Sequence, residues 1–448
     1  MRLRDVVSAL VILVSSAQAT TAAAQRGPDQ SARKPNVILI MMDDLGYGDL
    51  GSYGAPEVRT PHIDRLAREG VRLTDAYANG HVCSPTRAAL ISGRYPQRFG
   101  IERAIAARTT ADSAIGLPVT GASLPTLLKT NGYATGLVGK WHLGFRREFS
   151  PQAHGFDEFF GFLAGAHDYY RGTVIDGTTR VPLAGYLTDE ITKRAVGFID
   201  GHAAGPFFLE VAYNAVHGPF QPPGRPPTDA ERRAPRPLVQ MPGDSVPATR
   251  EDYVKMLERA DDGVGKILAA LDQRGLTRNT LVIFTNDNGG EWLSRNAPFF
   301  HRKATLWEGG IRVPLILRWP SGLPAGTTSA QVALTMDLTA SILAATGTKA
   351  PDSYRPDGVN ILPVLRGDAP VLERNVFWRI EQPARQQRAT RSGRWKLLRD
   401  GGATFLFDLD SDPGERQDLA RQHPDKVAEL IRLYVAWDRD VRAQPATR

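Results

Sequence analysis

Residues 37–42 read VILIMM, six apolar side chains without a break, and Asp43 and Asp44 follow at once. A strand with one wet face alternates polar and apolar residues. An unbroken apolar run suits a strand buried on both faces, the position it takes in a parallel sheet covered by helices. Folds of that kind collect their chemistry at the carboxyl ends of the strands. This one segment therefore predicts a fold class and the place of a site.

The unit recurs along the chain. TPHIDRLAREG predicts a helix with Thr60 as its cap, Pro61 in its first turn and Gly70 at its stop. VRLTDAYAN predicts a strand that leads into Cys83. SLPTLLKTNGY reads as a helix and ATGLVGKWHLG as a strand ending at Lys140. YLTDEITKRAVGFID reads as a helix, and PFFLEVAYNAVHGPF as a strand ending just before His217. Residues 250–272 form a long helix, and TLVIFTNDNGG a strand ending at Asp287 and Asn288. The expected fold is α/β, a large mixed, mostly parallel sheet flanked by helices. Beyond about residue 370 the pattern changes: NVFWRI, ATRSGRWKLLRD and ATFLFDL predict short antiparallel strands, followed by a helix from about Pro424 to Arg442. Residues 32–370 are thus read as a catalytic domain and 371–448 as a small α+β subdomain. Gln221 to Pro247, rich in Pro and Arg, is either a surface excursion near the substrate entrance or a linker.

The amino terminus differs from the rest. Arg2 and Arg4 precede the apolar run Val6–Val14 and then small residues, a secretory leader over residues 1–24 cleaved after Ala19 or Ala24. An uncleaved amphipathic anchor fits less well, because the run lacks a polar face. The formal charge of +7 suits anionic substrates or plain solubility, and no basic run interleaved with aromatics suggests nucleic acid. A periplasmic or secreted location is expected. Cys83 is the one cysteine, so an internal disulfide is excluded. A lone cysteine is either a small buried hydrophobe or a chemically used residue.

Parallel strands would bring Asp43, Asp44, Asp287 and Asn288 to one edge. Four hard oxygen donors without His or Cys select Ca²⁺ or Mg²⁺ over zinc. Lys140, His142, His217 and Lys303 belong to the same edge. Cations with a divalent metal can clamp a tetrahedral oxyanion, and imidazoles can move protons to and from oxygen. That is equipment for hydrolysing a sulfate or phosphate ester. No Gly-x-Ser-x-Gly elbow is present, which leaves Cys83 as the candidate nucleophile, on a turn entering a helix. As a plain thiolate it would suggest a cysteine hydrolase.

Cys83-x-Pro85-x-Arg87, continued as AALISGRYPQRFG, resembles the signature of the type I sulfatases, a branch of the alkaline phosphatase superfamily. Further matching segments run in the same order through the mature chain: LIMMDDLGYGDLGSYG, LPTLLKTNGYATGLVGKWHLG, HGFDEFFGF, TNDNGG, KATLWEGGIRVP and FDLDSDPGERQDLA. The resemblance implies an alkaline phosphatase-like fold and hydrolysis of aryl sulfates or sulfated carbohydrates. It implies that a formylglycine-generating enzyme oxidises Cys83 to formylglycine (3-oxoalanine). Asp43, Asp44, Asp287 and Asn288 would bind one Ca²⁺ together with an oxygen of modified residue 83. Arg87 and Lys140 would hold that residue, whose hydrate attacks sulfur. Lys140 and Lys303 would bind sulfate, His217 would protonate the departing alcohol, and His142 would take the proton of the second hydroxyl as sulfate leaves.

Two places depart from the family pattern. Ala304 stands where Gly is frequent, and SRNAPFFHR matches no known substrate group. His167, Asp168, Tyr169 and Tyr170 either line the pocket or form a hydrogen-bonded loop. A phosphodiesterase on the same scaffold is the first alternative; the single cluster of metal ligands, without His for a second metal, disfavours phosphate monoesters. An inactive carbohydrate-binding relative is the second, against which every expected catalytic position is filled.

Overall fold

The computed structural model describes residues 33–106, 113–228 and 248–443. The expected leader and residues 229–247 of the expected excursion lie outside the described residues.

Strands β1 (Asn36–Met42), β2 (Val71–Leu73), β4 (Ala134–Lys140), β5 (Glu158–Phe162) and β6 (Thr173–Asp176) belong to one ten-stranded sheet. It also holds β7 (Thr179–Pro182), β8 (Phe207–Ala212), β9 (Thr280–Asn286), β10 (Leu315–Arg318) and β11 (Thr327–Ser329), in the order β11-β2-β10-β9-β1-β8-β4-β5-β6-β7. The centre, β9-β1-β8-β4-β5, is parallel, and antiparallel pairs flank it on both sides. The mixed, mostly parallel sheet is the one expected.

Every residue of β1 is buried. Its side chains divide between two cores: Ile38, Ile40 and Met42 face one layer, and Val37, Leu39 and Met41 face the other. The first layer is packed by α1 (Pro61–Glu69), α4 (Leu187–His202) and α5 (Arg250–Gln273); the second by α2 (Cys83–Ser92), α3 (Leu124–Thr130) and α7 (Thr335–Ala345). Burying side chains of this size contributes about 1.5–3 kcal/mol each, which fixes the central strand in register. Met42 of β1 lies opposite Asn286 of β9. Asp43 and Asp287 therefore leave the sheet side by side.

The structure differs from the sequence reading in three places. Thr60 does not cap α1 with its side chain, which accepts instead from Gly51 N at 3.0 Å. The free N–H groups of His62 and Ile63 are met by Asp261 of α5, at 3.2 and 2.8 Å. VRLTDAYAN is two short strands in different sheets, β2 and β3 (Ala76–Tyr77), the latter paired with β12 (Ala333–Leu334). The strand before His217 ends at Ala212. Tyr213 N and Val216 N bond the carbonyls of Met41 and Asp43, so the chain turns back over β1 before it reaches His217.

The carboxyl-terminal strands β13 (Asn375–Gln382), β14 (Arg385–Ser392), β15 (Trp395–Asp400) and β16 (Ala403–Asp408) form an antiparallel meander beneath α9 (Pro424–Ala443). Between them and the large sheet lies a buried ionic network. The Lys396 ammonium pairs with Glu308 at 2.7 Å and Glu415 at 2.8 Å. Glu308 opens α6 (Glu308–Ile311); it also accepts from the Tyr77 hydroxyl at 2.8 Å and pairs with Arg312 at 2.8 Å. Asp75 joins Arg312 to Arg391, each at 2.7 Å. Short helix α8 (Leu362–Arg366) precedes the meander.

Candidate active site

The carboxyl ends of β1, β9 and β4 deliver Asp43, Asp44, Asp287, Asn288 and Lys140 to one buried cluster. Asp44 adopts φ 62°, a left-handed conformation that Asp tolerates better than most residues. Its carboxylate accepts from Asn288 Nδ2 at 2.7 Å, and its backbone N–H reaches Asp287 at 3.5 Å.

Cys83 is the first residue of α2 and only 2% exposed. Four residues on a helix make one turn, so Cys83 and Arg87 share a face. The Cys83 thiol lies 3.5 Å from Asp43 Oδ1, and Arg87 donates to Asp287 Oδ2 from Nε and Nη2 at 3.1 and 2.9 Å. Thr86 Oγ1 accepts from Gly80 N at 3.0 Å and ties the entering turn to the helix. Gly80 is required there, because a Cβ would sit 2.5 Å from the Pro85 ring. The Cys-x-Pro-x-Arg spacing is thus the geometry of one helical turn locked against its own entry.

Lys140 Nζ rests on Asp43 at 2.6 Å, and Lys303 Nζ on Asp44 at 2.7 Å. His217 Nε2 faces the same Asp44 oxygen at 3.6 Å, while its Nδ1 donates to the Gly218 carbonyl at 2.6 Å. His142, also left-handed at φ 60°, places Nε2 2.9 Å from the Ile105 carbonyl. That contact puts the proton on Nε2, and Nδ1 is buried with no partner. All ten residues singled out from the sequence are buried at this one place.

The electrostatics follow from crowding. Burial, then Asp287 and Asp44, raise the Asp43 carboxyl to about 7 against the pull of Lys140 and Arg87. Burial opposes ionisation of Asp44 too, but Lys303, His217 and Lys140 outweigh it and hold that carboxyl below the usual range. Burial holds His217 down to about 4 and His142 well below an ordinary imidazole, with Lys140 adding to both. Burial and Asp287 push the Cys83 thiol upward, so it is not poised as a thiolate. The cluster fits a hard divalent cation. Its donors are carboxylate and amide oxygens, Asn288 Oδ1 is buried without a partner, and ligand atoms of Asp43, Asp44, Cys83 and His217 lie within 4.8 Å of one another.

A family model described as Sulfatase matches residues 35–348. The chain belongs to the sulfatase family. It is therefore a sulfuric ester hydrolase. A second model, N-sulphoglucosamine sulphohydrolase, C-terminal, matches residues 297–433 of this sulfatase. An N-acetylgalactosamine-6-sulfatase from Mus musculus is 37% identical over 82% of this chain and 72% of its own. An N-acetylgalactosamine-6-O-sulfatase from Bacteroides thetaiotaomicron is 30% identical over 91% of this chain and 94% of its own. The crystal structure of Ps i-CgsB superposes with a TM-score of 0.83 at 32% identity, covering 92% of this chain and 94% of that one. The same protein in complex with k-i-k-neocarrahexaose superposes with a TM-score of 0.82.

Ala304 explains one departure from the family pattern. It is left-handed at φ 69°, held by its N–H to the His81 carbonyl at 2.8 Å and by Arg385 Nη1 on its own carbonyl at 2.5 Å. An L side chain there costs about 1–2 kcal/mol, partly offset by the freer unfolded state of glycine. Ala304→Gly is expected to raise this sulfatase's stability by about 0.5–1 kcal/mol; a lower denaturation midpoint than wild type would refute the strain.

His167, Asp168, Tyr169 and Tyr170 form the hydrogen-bonded loop. The Tyr169 hydroxyl lies 2.9 Å from the carbonyls of Asn214 and His217, so this loop braces the turn that presents His217. Asp168 accepts from Tyr170 N and from Gln221 Nε2.

Sequence reasoning missed a cavity of about 850 Å³ beside the cluster, among whose lining residues are His81, Val82, Arg103, Ala304, Gln382 and Arg385. His81, two residues before Cys83, was within reach of inspection. The hairpin residues Gln382 and Arg385 carry no local signal. No helix among the described residues is long and apolar enough to cross a membrane.

Proposed function

We propose that this sulfatase hydrolyses sulfate esters of carbohydrates, with Cys83 converted to formylglycine and one Ca²⁺ held by Asp43, Asp44, Asp287 and Asn288. The observation that carries the reading is the chain's one thiol, buried beside Asp43 and shifted away from thiolate, at the centre of the cationic and acidic cluster. A thiol so placed is a poor nucleophile itself and a well-placed precursor. Formylglycine supplies one hydroxyl to attack sulfur and a second through which sulfate is expelled, and Ca²⁺ supplies neutralising charge.

The chain's own residues do the rest. Lys140 and Lys303 aim ammonium groups at the space between Asp43 and Asp44, where sulfate oxygens would exchange for carboxylate partners. Arg87 fixes Asp287 and, through Nη1 to the Lys140 carbonyl at 3.3 Å, the end of β4. His142 Nδ1 is the free acceptor for the proton released on sulfate expulsion. His217 Nε2 is the group placed to hold a proton for the departing alcohol. The carbohydrate substrate class draws on the printed names of the relatives. A formylglycine-generating enzyme is the maturation partner, residues 1–24 are a leader for periplasmic or secreted export, and 32–370 and 371–448 are the two structural divisions. The start of β13 at Asn375 supports the second boundary.

The test is sulfate release by protein co-produced with a formylglycine-generating enzyme, on an aryl sulfate, an aryl phosphodiester and a set of mono-sulfated sugars. Chelation should remove activity and Ca²⁺ should restore it. Phosphodiester cleavage outpacing every sulfate ester, or rescue by Zn²⁺ alone, would overturn the proposal.

A further inference from the structure

We propose that the cavity beside Cys83 reads a second anionic group on the substrate, a carboxylate or a sulfate, through Arg103 and Arg385. This rests on the sulfate-ester reading of the adjoining cluster. Cavity and cluster share their walls. Val82 precedes Cys83, Ala304 follows Lys303, and Ile105, another lining residue, accepts from His142 Nε2 at 2.9 Å. A sugar whose sulfate enters the cluster therefore extends its ring and its neighbour into this space.

The charge of the lining is one-sided. Arg103, Arg385, His81 and Gln382 face the cavity, and no carboxylate does. The adjacent acids are turned away by strand alternation and by pairing. Ile380 and Gln382 of β13 line the cavity, whereas Arg379 and Glu381 point to the other side. There Arg379 binds Glu102 at 2.6 Å, and Arg442 binds Glu381 at 2.8 Å. The sequence neighbours Glu102 and Glu381 are thus withdrawn, and the two arginines present their charge without local cancellation from the lining. The apolar residues Ile101, Ile105, Ile115 and Ile380 give the remaining surface a face for sugar C–H groups. Guanidinium groups bind carboxylate and sulfate with charge-assisted hydrogen bonds, which neutral hydroxyls do not match. Arg385 and Gln382 come from the carboxyl-terminal meander, so the distal sheet supplies specificity to a site built by the large one.

The experiment uses three oligosaccharides with the same scissile sulfate, whose neighbouring sugar is neutral, carries a carboxylate, or carries a second sulfate. The kcat/KM ratio of each anionic substrate to the neutral one is measured for wild type, Arg385→Gln and Arg103→Gln. Taking the ratio within each variant cancels any disturbance of Lys303 through Ala304. Wild type should favour at least one anionic neighbour by more than about tenfold, and each variant should lose about tenfold of that preference. Which of the two anions is favoured names the group. Equal rates on all three, or a preference that survives both substitutions, overturns the proposal. If wild type also fails on an aryl sulfate, it is the catalytic reading that falls. Calorimetric binding of the desulfated carboxylate oligosaccharide then decides the cavity alone: affinity lost in both variants supports it, and affinity equal to that of the neutral analogue refutes it.

Discussion

Cys83→Ala should abolish sulfate ester turnover, with kcat falling by about 10⁴-fold or more, in protein that still folds. The contrast comes from what the side chain does and does not hold. Its thiol makes one long contact, to Asp43 at 3.5 Å, and its removal opens a space of about one sulfur atom, a cost of order 1 kcal/mol. The helix start is held by Thr86 and Pro85 instead, and Arg87 keeps its partner Asp287. On the proposed chemistry, however, nothing else among the described residues offers a nucleophile at the cluster. Cys83→Ser should fare little better, because a sulfated serine has no second hydroxyl with which to expel sulfate. Sulfate release and thermal unfolding measured side by side check both halves. Turnover near wild type in Cys83→Ala would end the mechanism.

The largest effect on stability is expected from Lys396→Met. Lys396 has no exposed side-chain surface and stands between Glu308 and Glu415, both equally buried. Removing one member of a buried ionic group leaves charge uncompensated and typically costs 3–5 kcal/mol, of which about that much is expected here. The pH dependence has a definite sign. Burial raises Glu415 to about 7 even with Lys396 beside it, and Glu308 adds to the rise. An acid with a folded pKa above its unfolded value holds its proton longer in the native state. Its contribution to stability is therefore complete below about 4.5 and is lost as the pH climbs to about 7. Without Lys396 the two carboxylates must share a proton or repel, so the variant should lose more stability at pH 8 than at pH 5. Denaturant titrations at the two pH values measure this; a loss below about 1 kcal/mol at both would show that the network is dispensable. Because Glu308 lies five residues beyond Lys303, the variant should also lose activity before it unfolds.

What was legible in the chain was whatever one segment could write by itself. Val37–Met42 announced a doubly covered strand, and the polar residues after β1, β4 and β9 announced a site, because a parallel sheet aligns strand ends without further instruction. Cys83 and Arg87 were legible as a motif, and the structure supplies its reason in one turn of helix. What failed depended on partners far away. Thr60 has a capping residue's identity, but Asp261, some two hundred positions on, does the capping. The strand before His217 stops early because Tyr213 and Val216 find carbonyls on β1. Gln382 and Arg385 look like any hairpin residues, and only the packing of the small sheet against the Lys303 loop gives them a wall to line.

The depth of Cys83 also has a consequence in time. Its side chain retains 2% of its surface, and every residue from Cys83 to Ser92 is helical and buried. A protein catalyst acting on residue 83 needs several residues of open chain on either side, and the finished fold offers none. Conversion to formylglycine therefore belongs to the interval between synthesis and closure of the central sheet. Folding and maturation are competitors in a race, and a chain that folds first is trapped as a stable protein with every partner of the site in place and no nucleophile among them.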